Sequence, residues 1–245
     1  MNKELKISII TVTKNSEKYL EENILSVIGQ SYKNYEHIII DGNSTDKTKN
    51  IINKYKEKIS YWVSEPDDGL YFAMNKGIDK ATGDIIGILN SDDVFYPDAL
   101  RIVNTYFTND AKLDFLFGSV YKHKLMHGYN PKKIKWTFGF YTTHSVGFFI
   151  KKDVQKKIGY YDTQYKWSAD YDLFYKMIVK FKLYGVATKN NEIFGKFRTG
   201  GLSSRISYLD FLLENNKIRL NNGQNFFLVY LIFILRILRN IKNFF

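Results

Sequence analysis

The chain has 245 residues, enough for one large α/β domain or two small ones, and its 44% apolar and 25% charged residues suit a buried core rather than disorder. A formal charge of +11 directs it toward acidic partners, and the absence of cysteine excludes disulfides and thiolate metal sites. Aromatic residues reach 17%, a proportion that serves cores, sugar-stacking platforms and membrane interfaces alike.

In chain order, the β-branched run 7–12 reads as a strand covered on both faces. Ser16 is placed to cap a helix that carries Leu20, Ile24, Val27 and Ile28 on one face. A second strand at 37–40 is stopped by the turn-rich sequence Asp41-Gly42-Asn43-Ser44. Residues 47–55 read as a helix and 61–63 as a third strand. The spacing of Leu70, Met74, Gly77, Ile78 and Ala81 predicts a helix over 70–81, and 84–89 reads as a fourth strand. Repeated strand-helix units require a mostly parallel sheet, which binds ligands outside the carboxyl ends of its strands. Four polar clusters fall at that rim: 13–15, 41–44, 65–68 and 90–93. In the last, Asp92 and Asp93 follow a buried strand. Adjacent carboxylates there repel and lose solvation unless they sit at a solvated loop tip or hold a cation.

Beyond residue 113 the alternation loosens. Residues 115–121 and 147–150 read as strands with a basic loop between them, and 170–181 reads as a helix. No linker or internal repeat separates the halves, so one domain with an elaborated second half is expected. The tail "FFLVYLIFILRILRNIKNFF" is strongly apolar, but Arg236, Arg239 and Lys242 interrupt it before the roughly twenty residues a spanning helix needs. It reads as an interfacial helix lying along an anionic leaflet.

The segments "ISIITVTKN", "IIIDGNSTDKT", "SEPDDGLYFAMNKGI", "ATGDIIGILNSDDVFYPDAL" and "GYYDTQYKWSADYDLFYKM" occur in this order. Together they resemble the inverting nucleotide-sugar glycosyltransferases of family 2, in particular small bacterial enzymes of lipopolysaccharide, capsule or exopolysaccharide synthesis. The resemblance implies an α/β GT-A fold. Residues 1–112 would form the nucleotide-sugar-binding half and 113–205 the acceptor-binding, catalytic half. A helical and membrane-associating tail would follow at 206–245.

It also implies roles. Asn90-Ser91-Asp92-Asp93 is similar to the family's DxD element, with Asn90 where many relatives have Asp. Asp92 and Asp93 would then hold Mn²⁺ or Mg²⁺ on the donor diphosphate, a hard ion on oxygen ligands, with Asp92 also on the donor side. Asp41 would accept from a uracil N–H, and Thr11, Thr13 and Asn15 would line the nucleotide pocket. Glu65, Asp67, Asn75 and Lys76 would complete the donor side. Asp170, in "SADYDLFYK", matches the catalytic base. His144 and Arg198 are candidates for the acceptor or phosphate side, and the glycine-rich loop 200–204 would close over the diphosphate.

The expected partners are a nucleotide-sugar, UDP-linked on this reading, a lipid-linked or oligosaccharide acceptor, and an anionic membrane surface met by the tail. Nucleic acid is not expected, since no helix-turn-helix, zinc or RNA-binding signature accompanies the lysines. The N-terminus lacks an apolar region of signal-peptide length, so a cytoplasmic protein peripheral to the inner face of the cytoplasmic membrane is expected. Two other readings stay open at this point. A sugar nucleotidyltransferase would want a glycine-rich basic first loop, which "TVTKNSEKYL" is not. A carbohydrate-binding scaffold without activity would keep the fold and lose the metal response.

Overall fold

A computed structural model describes residues 4–136, 141–200 and 206–240. Its strands are β1 (Ile7–Thr13), β2 (Tyr35–Asp41), β3 (Tyr61–Ser64), β4 (Ile85–Ile88), β5 (Val94–Phe95), β6 (Phe115–Phe117), β7 (Ser119–Tyr121), β8 (Leu125–Met126), β9 (Phe148–Lys151), β10 (Gly185–Ala187) and β11 (Ile193–Lys196). Its helices are α1 (Leu20–Ile28), α2 (Thr48–Lys54), α3 (Leu70–Lys80), α4 (Ala99–Asn109), α5 (Lys152–Ile158), α6 (Ala169–Tyr175), α7 (Tyr208–Asn221) and α8 (Phe226–Arg239).

The main sheet has seven strands in the order β10-β6-β9-β4-β1-β2-β3. All pairs are parallel except those of β9, which runs antiparallel to both β4 and β6. Because β9 lies between β4 and β6, one sheet is built from both halves of the chain. The strand order reverses between β1 and β4, which leaves a crevice at their carboxyl ends. Ile10 and Val12 of β1 join one hydrophobic cluster, with Met74 and Ile78 of α3 and Phe174 of α6. Ile7 and Ile9 join another, with Val27 of α1 and Leu100 and Val103 of α4. That alternation is the period of two in a strand, and helices cover both faces.

The expected single strand 115–121 is two strands in two sheets. β6 belongs to the main sheet, and β7 to a four-stranded sheet ordered β5-β11-β7-β8. The break is Gly118, where any Cβ would lie 2.1 Å from the ring of Phe194. A bare backbone is needed for the chain to cross that ring between sheets. The expected helix 170–181 is shorter: α6 ends at Tyr175 and continues as one wide π turn over Lys176–Lys180. Ser16 does not cap α1 with its side chain. Its backbone carbonyl accepts from Tyr19 and Leu20, while its hydroxyl is used elsewhere.

The tail forms α7 and α8, which pack on each other, and α7 packs on α6. Buried Arg219 of α7 donates from Nε to the Tyr171 hydroxyl at 2.9 Å, and Asn222 donates to Asp172 at 2.7 Å. Lys242 lies outside the described residues.

Candidate active site

At the crevice, the turn 90–93 after β4 is held from below by a single side chain. Asn23 of α1, fully buried, donates from Nδ2 to the carbonyls of Asn90 and Asp93, both at 2.9 Å. Thr11 Oγ1 lies 3.3 Å from Asn23 Oδ1 and 3.0 Å from His37 Nε2. Burial alone pushes the His37 imidazole down to about 3, so it is neutral. A buried polar chain therefore runs from β2 through β1 and α1 to the turn. From beside the turn, Ser91 and Ser16 share a hydroxyl hydrogen bond of 2.8 Å that ties it to the loop after β1.

The paired carboxylates have different surroundings. Asp93 is fully buried; its Oδ2 accepts from Ser145 Oγ at 2.6 Å and its Oδ1 from the Arg198 backbone N–H at 2.8 Å. Burial first, and then the charge of Asp92, raise the Asp93 carboxyl to about 7. Asp92 is half-buried; burial raises its carboxyl, while a hydrogen bond from its own backbone N–H and the Arg198 charge oppose that shift. Arg198 donates from Nη1 to the Asp92 carbonyl at 3.1 Å, pairs with Glu22, and lies 4.8 Å over the Tyr19 ring.

Ser145 also accepts from the Asn90 N–H at 2.8 Å, so one hydroxyl fixes both ends of the acidic turn. The next residue, Val146, has φ +69° although it is β-branched and fully buried. Such backbone costs energy and persists where surrounding contacts over-determine it. Here the contacts are the Val146 N–H to the Ile88 carbonyl, at 3.0 Å, and the Ser145 bonds to the acidic turn.

On the other side of this segment stands Asp170, in the first turn of α6. Its Oδ1 accepts from the hydroxyl of Tyr71 at 3.1 Å and its Oδ2 from that of Tyr141 at 3.3 Å. Burial, then the Asp170 charge, raise both phenols well above their usual range, so they remain donors. His144 Nε2 lies 2.6 Å from the Tyr161 hydroxyl, and the Tyr71 and Tyr161 rings are 5.5 Å apart. Burial lowers the His144 pKa while the Asp170 charge opposes that shift. His144 and Ser145, adjacent in sequence, thus join the two acidic groups: one feels Asp170, the other grips Asp93. Tyr71, Tyr141, Ser145 and Asn23 were not singled out in the sequence. The signal for Tyr71 was its place inside "GLYFAMNKG"; Asn23 carries none beyond sitting polar on a buried helix face.

Donor-side candidates separate into two groups. Asn15, Asp41 and Asp67 gather around the loop after β2. Asn15 Oδ1 accepts from the Thr45 N–H at 2.8 Å. Asp41 is fully buried and accepts from the Ser44 N–H at 3.0 Å, from the Ser44 hydroxyl and from the Ser64 hydroxyl at 2.6 Å. That is the Asx-turn role which competes with base recognition at this position. The Asp67 carboxylate packs on Gly42 and accepts from the Gly69 N–H at 3.1 Å. Thr13 lies at the end of β1, with a buried hydroxyl that has no hydrogen-bond partner among the described residues. Glu65 and Lys76 form a half-exposed 2.7 Å ion pair at the mouth.

Two candidates are engaged elsewhere. Thr11 lies beneath the acidic turn. Asn75 clamps the Tyr161 backbone, donating at 2.9 Å and accepting at 3.0 Å, and so steadies the wall around Asp170. In the glycine-rich loop, 201–205 lie outside the described residues.

The residues present fit a hard divalent cation. Asp92 offers a half-buried carboxylate, and the buried Oδ1 of Asn90 has no hydrogen-bond partner among the described residues. No group of three or more acidic or histidine ligands occurs among the described residues. An ion held by one or two protein oxygens and completed by substrate phosphate matches the habit of Mg²⁺.

The model of the family described as "Glycosyl transferase family 2" matches residues 8–177. An uncharacterized glycosyltransferase of Rickettsia typhi is 32% identical over 187 residues, 70% of this chain and 58% of the relative. The chain spans 58% to 64% of the length of the first three such relatives. Among solved structures, S. aureus TarS (1-349) in complex with UDP-GlcNAc superposes with a TM-score of 0.67 at 18% identity, over 88% of this chain and 66% of that one. The mannosyltransferase PcManGT from Pyrobaculum calidifontis, in complex with GDP-Man and Mn²⁺, gives 0.65 at 15% identity, over 89% and 63%. These two likenesses are of fold.

Proposed function

The chain belongs to glycosyl transferase family 2, and on that premise we propose that it transfers a sugar, with inversion, from a UDP-linked donor to a hydroxyl of a lipid-linked or growing cell-surface glycan. The observation that carries this reading is Asp170: a carboxylate held between two phenol donors, walled by Tyr161 and His144, one residue segment away from the acidic turn.

In the reaction, the acceptor hydroxyl attacks the anomeric carbon while Asp170 takes its proton. The bond from anomeric carbon to diphosphate oxygen breaks, the nucleoside diphosphate leaves from the opposite face, and the configuration inverts. A proton acceptor placed in this way contributes about 10²–10⁴ in rate. Tyr71 and Tyr141 keep the carboxylate aimed, and the ring wall offers apolar faces on which an acceptor sugar can rest. Asp92 and Asn90 would hold Mn²⁺ or Mg²⁺, with the buried carboxyl of Asp93 beside them able to add its charge, and the ion's chemistry is to neutralise the diphosphate charge. Asp93, Ser145 and Arg198 hold the turn that presents them. The unpartnered hydroxyl of Thr13 and the carboxylate of Asp67 are available to the nucleotide. A nucleotide-sugar donor is supported by the fold shared with TarS, in complex with UDP-GlcNAc, and with PcManGT, in complex with GDP-Man; the choice of UDP rests on the resemblance carried by Asp41.

A panel of nucleotide-sugars, incubated with Mn²⁺ and scored for slow donor hydrolysis and then for transfer to lipid-linked saccharides, tests the proposal. UDP-sugars should be consumed only with metal. Incorporation of a nucleoside monophosphate, with pyrophosphate release, would instead indicate a nucleotidyltransferase.

A further inference from the structure

We infer that the outer face of α8 and the neighbouring segment 131–136 together form a docking surface for an anionic lipid bilayer. From Phe226 to Leu235, α8 is apolar on every side but buries only one. Val229 and Ile232 pack inward, while Phe227, Tyr230, Leu231, Ile234, Leu235 and Leu238 repeat at helical spacing on the opposite, exposed face. Phe227 is 79% exposed. A contiguous row of this kind marks an interaction site rather than scattered surface apolarity. The helix is about 21 Å long at 1.5 Å per residue, and no helix of the described residues is long and apolar enough to cross a membrane.

What should cover this face is indicated by what stands beside it. Gln224, just before α8, donates to the Lys135 carbonyl at 2.9 Å, which draws the exposed Lys132, Lys133 and Lys135 and the 54%-exposed Trp136 to the start of the apolar row. No acidic residue lies on α8, and Arg239 extends the positive charge at its far end. Apolar anchors, interfacial aromatic rings and a lysine cluster match an anionic leaflet. A second copy fits poorly, because a two-fold contact would bring the same lysines face to face on chains already carrying +11. The surface is also coupled to the site, independently of the reaction assigned there. Tyr171, next to Asp170, donates to the Ile134 carbonyl at 2.9 Å and accepts from Arg219 of α7. A bilayer on this face would therefore be held at a fixed distance from the acceptor chamber.

The test is sedimentation of the full chain with vesicles of phosphatidylcholine alone and of phosphatidylcholine with phosphatidylglycerol, alongside light scattering. Two variants report on separate parts of the surface: Leu231→Glu with Leu235→Glu, and Lys132→Gln with Lys133→Gln and Lys135→Gln. Binding should require phosphatidylglycerol and weaken with salt. The lysine variant should bind roughly a hundredfold more weakly, and the leucine variant should stay in the supernatant. Donor hydrolysis should be unchanged in both. If the leucine variant fails to fold, the lysine variant decides alone. Vesicle binding that neither variant alters, or its absence in the parent chain, overturns the inference. So does a dimer that the leucine variant dissolves without any vesicle binding, which would assign the face to a second copy.

Discussion

The hydroxyl of Tyr71 donates to Oδ1 of Asp170 at 3.1 Å across 99 positions of sequence. Tyr71 lies in the first turn of α3 and Asp170 in the first turn of α6, so the bond fastens a donor-side helix to the proposed base. A hydrogen bond to a charged group is worth about 1.5–3 kcal/mol. Tyr71→Phe should lower the turnover number about tenfold and leave the donor KM within twofold. Asp170→Asn should lower it by about 10²–10⁴ with UDP binding intact. Steady-state kinetics and calorimetry check both, and equal losses in binding and turnover would remove Asp170 from the base role.

Metal affinity should depend on pH through Asp93. Its carboxyl is raised to about 7 by burial and by Asp92, so in the metal-free protein it carries a proton below that pH and a charge above it. If Asp93 supplies charge to the cation, that proton must leave on binding. Mn²⁺ affinity should then fall up to about tenfold for each unit below pH 7. Asp93→Asn should flatten the profile, and Asp92→Asn should weaken binding at every pH. Electron paramagnetic resonance of free Mn²⁺ measures this directly; a flat profile in the parent chain would assign the ion to Asp92 without Asp93.

Asn23 should act on the metal without touching it. Asn23→Ala leaves two carbonyls, the part-buried one of Asn90 and the buried one of Asp93, without their shared donor. The stability cost is about 1–3 kcal/mol. A residue that only fills space would stop there. Because these carbonyls belong to the acidic turn, the Mn²⁺ concentration for half-maximal donor hydrolysis should rise about tenfold, with the donor KM at saturating metal little changed. Denaturant unfolding and a metal titration separate the two effects.

Gly195 should not tolerate even a methyl group. A Cβ there would lie 2.0 Å from the Val94 carbonyl oxygen and 2.9 Å from Phe95 Cα, both backbone atoms that cannot rotate aside. The contact joins β11 to β5, the strand that follows Asp93. Gly195→Ala should destabilise the protein by about 3 kcal/mol, at the upper end for overpacking. It should also shift Arg198, three residues on, so metal-stimulated activity should fall in the fraction that remains folded. Urea unfolding followed by activity at low temperature reads out both.

Much of this arrangement was legible from the residues in order. The runs 7–12, 37–40 and 84–89 became β1, β2 and β4 because their apolar atoms can be buried only as strands between two helical layers. The polar clusters after them face one rim because the strands are parallel. Where the reading failed, a local pattern met a distant constraint. Residues 115–121 look like one strand, and the ring of Phe194 splits them at Gly118. Ser16 looks like a cap, and Ser91 takes its hydroxyl.

The linear order of side chains determined the family, the alternation of strands and helices, and the acids and amides on offer, since periods of 2 and 3.6 residues and motif spacing are properties of neighbouring residues. Only the folded chain decided how those side chains divide the work. Thr11 turned under the acidic turn, Asn75 closed on Tyr161, Asp93 sank into the core against Ser145, and Asp170 met Tyr71 and Tyr141. Each of these outcomes depends on which faces of separate elements pack together. That packing is set by the competition of many residues for the same buried volume, which a stretch of sequence does not contain.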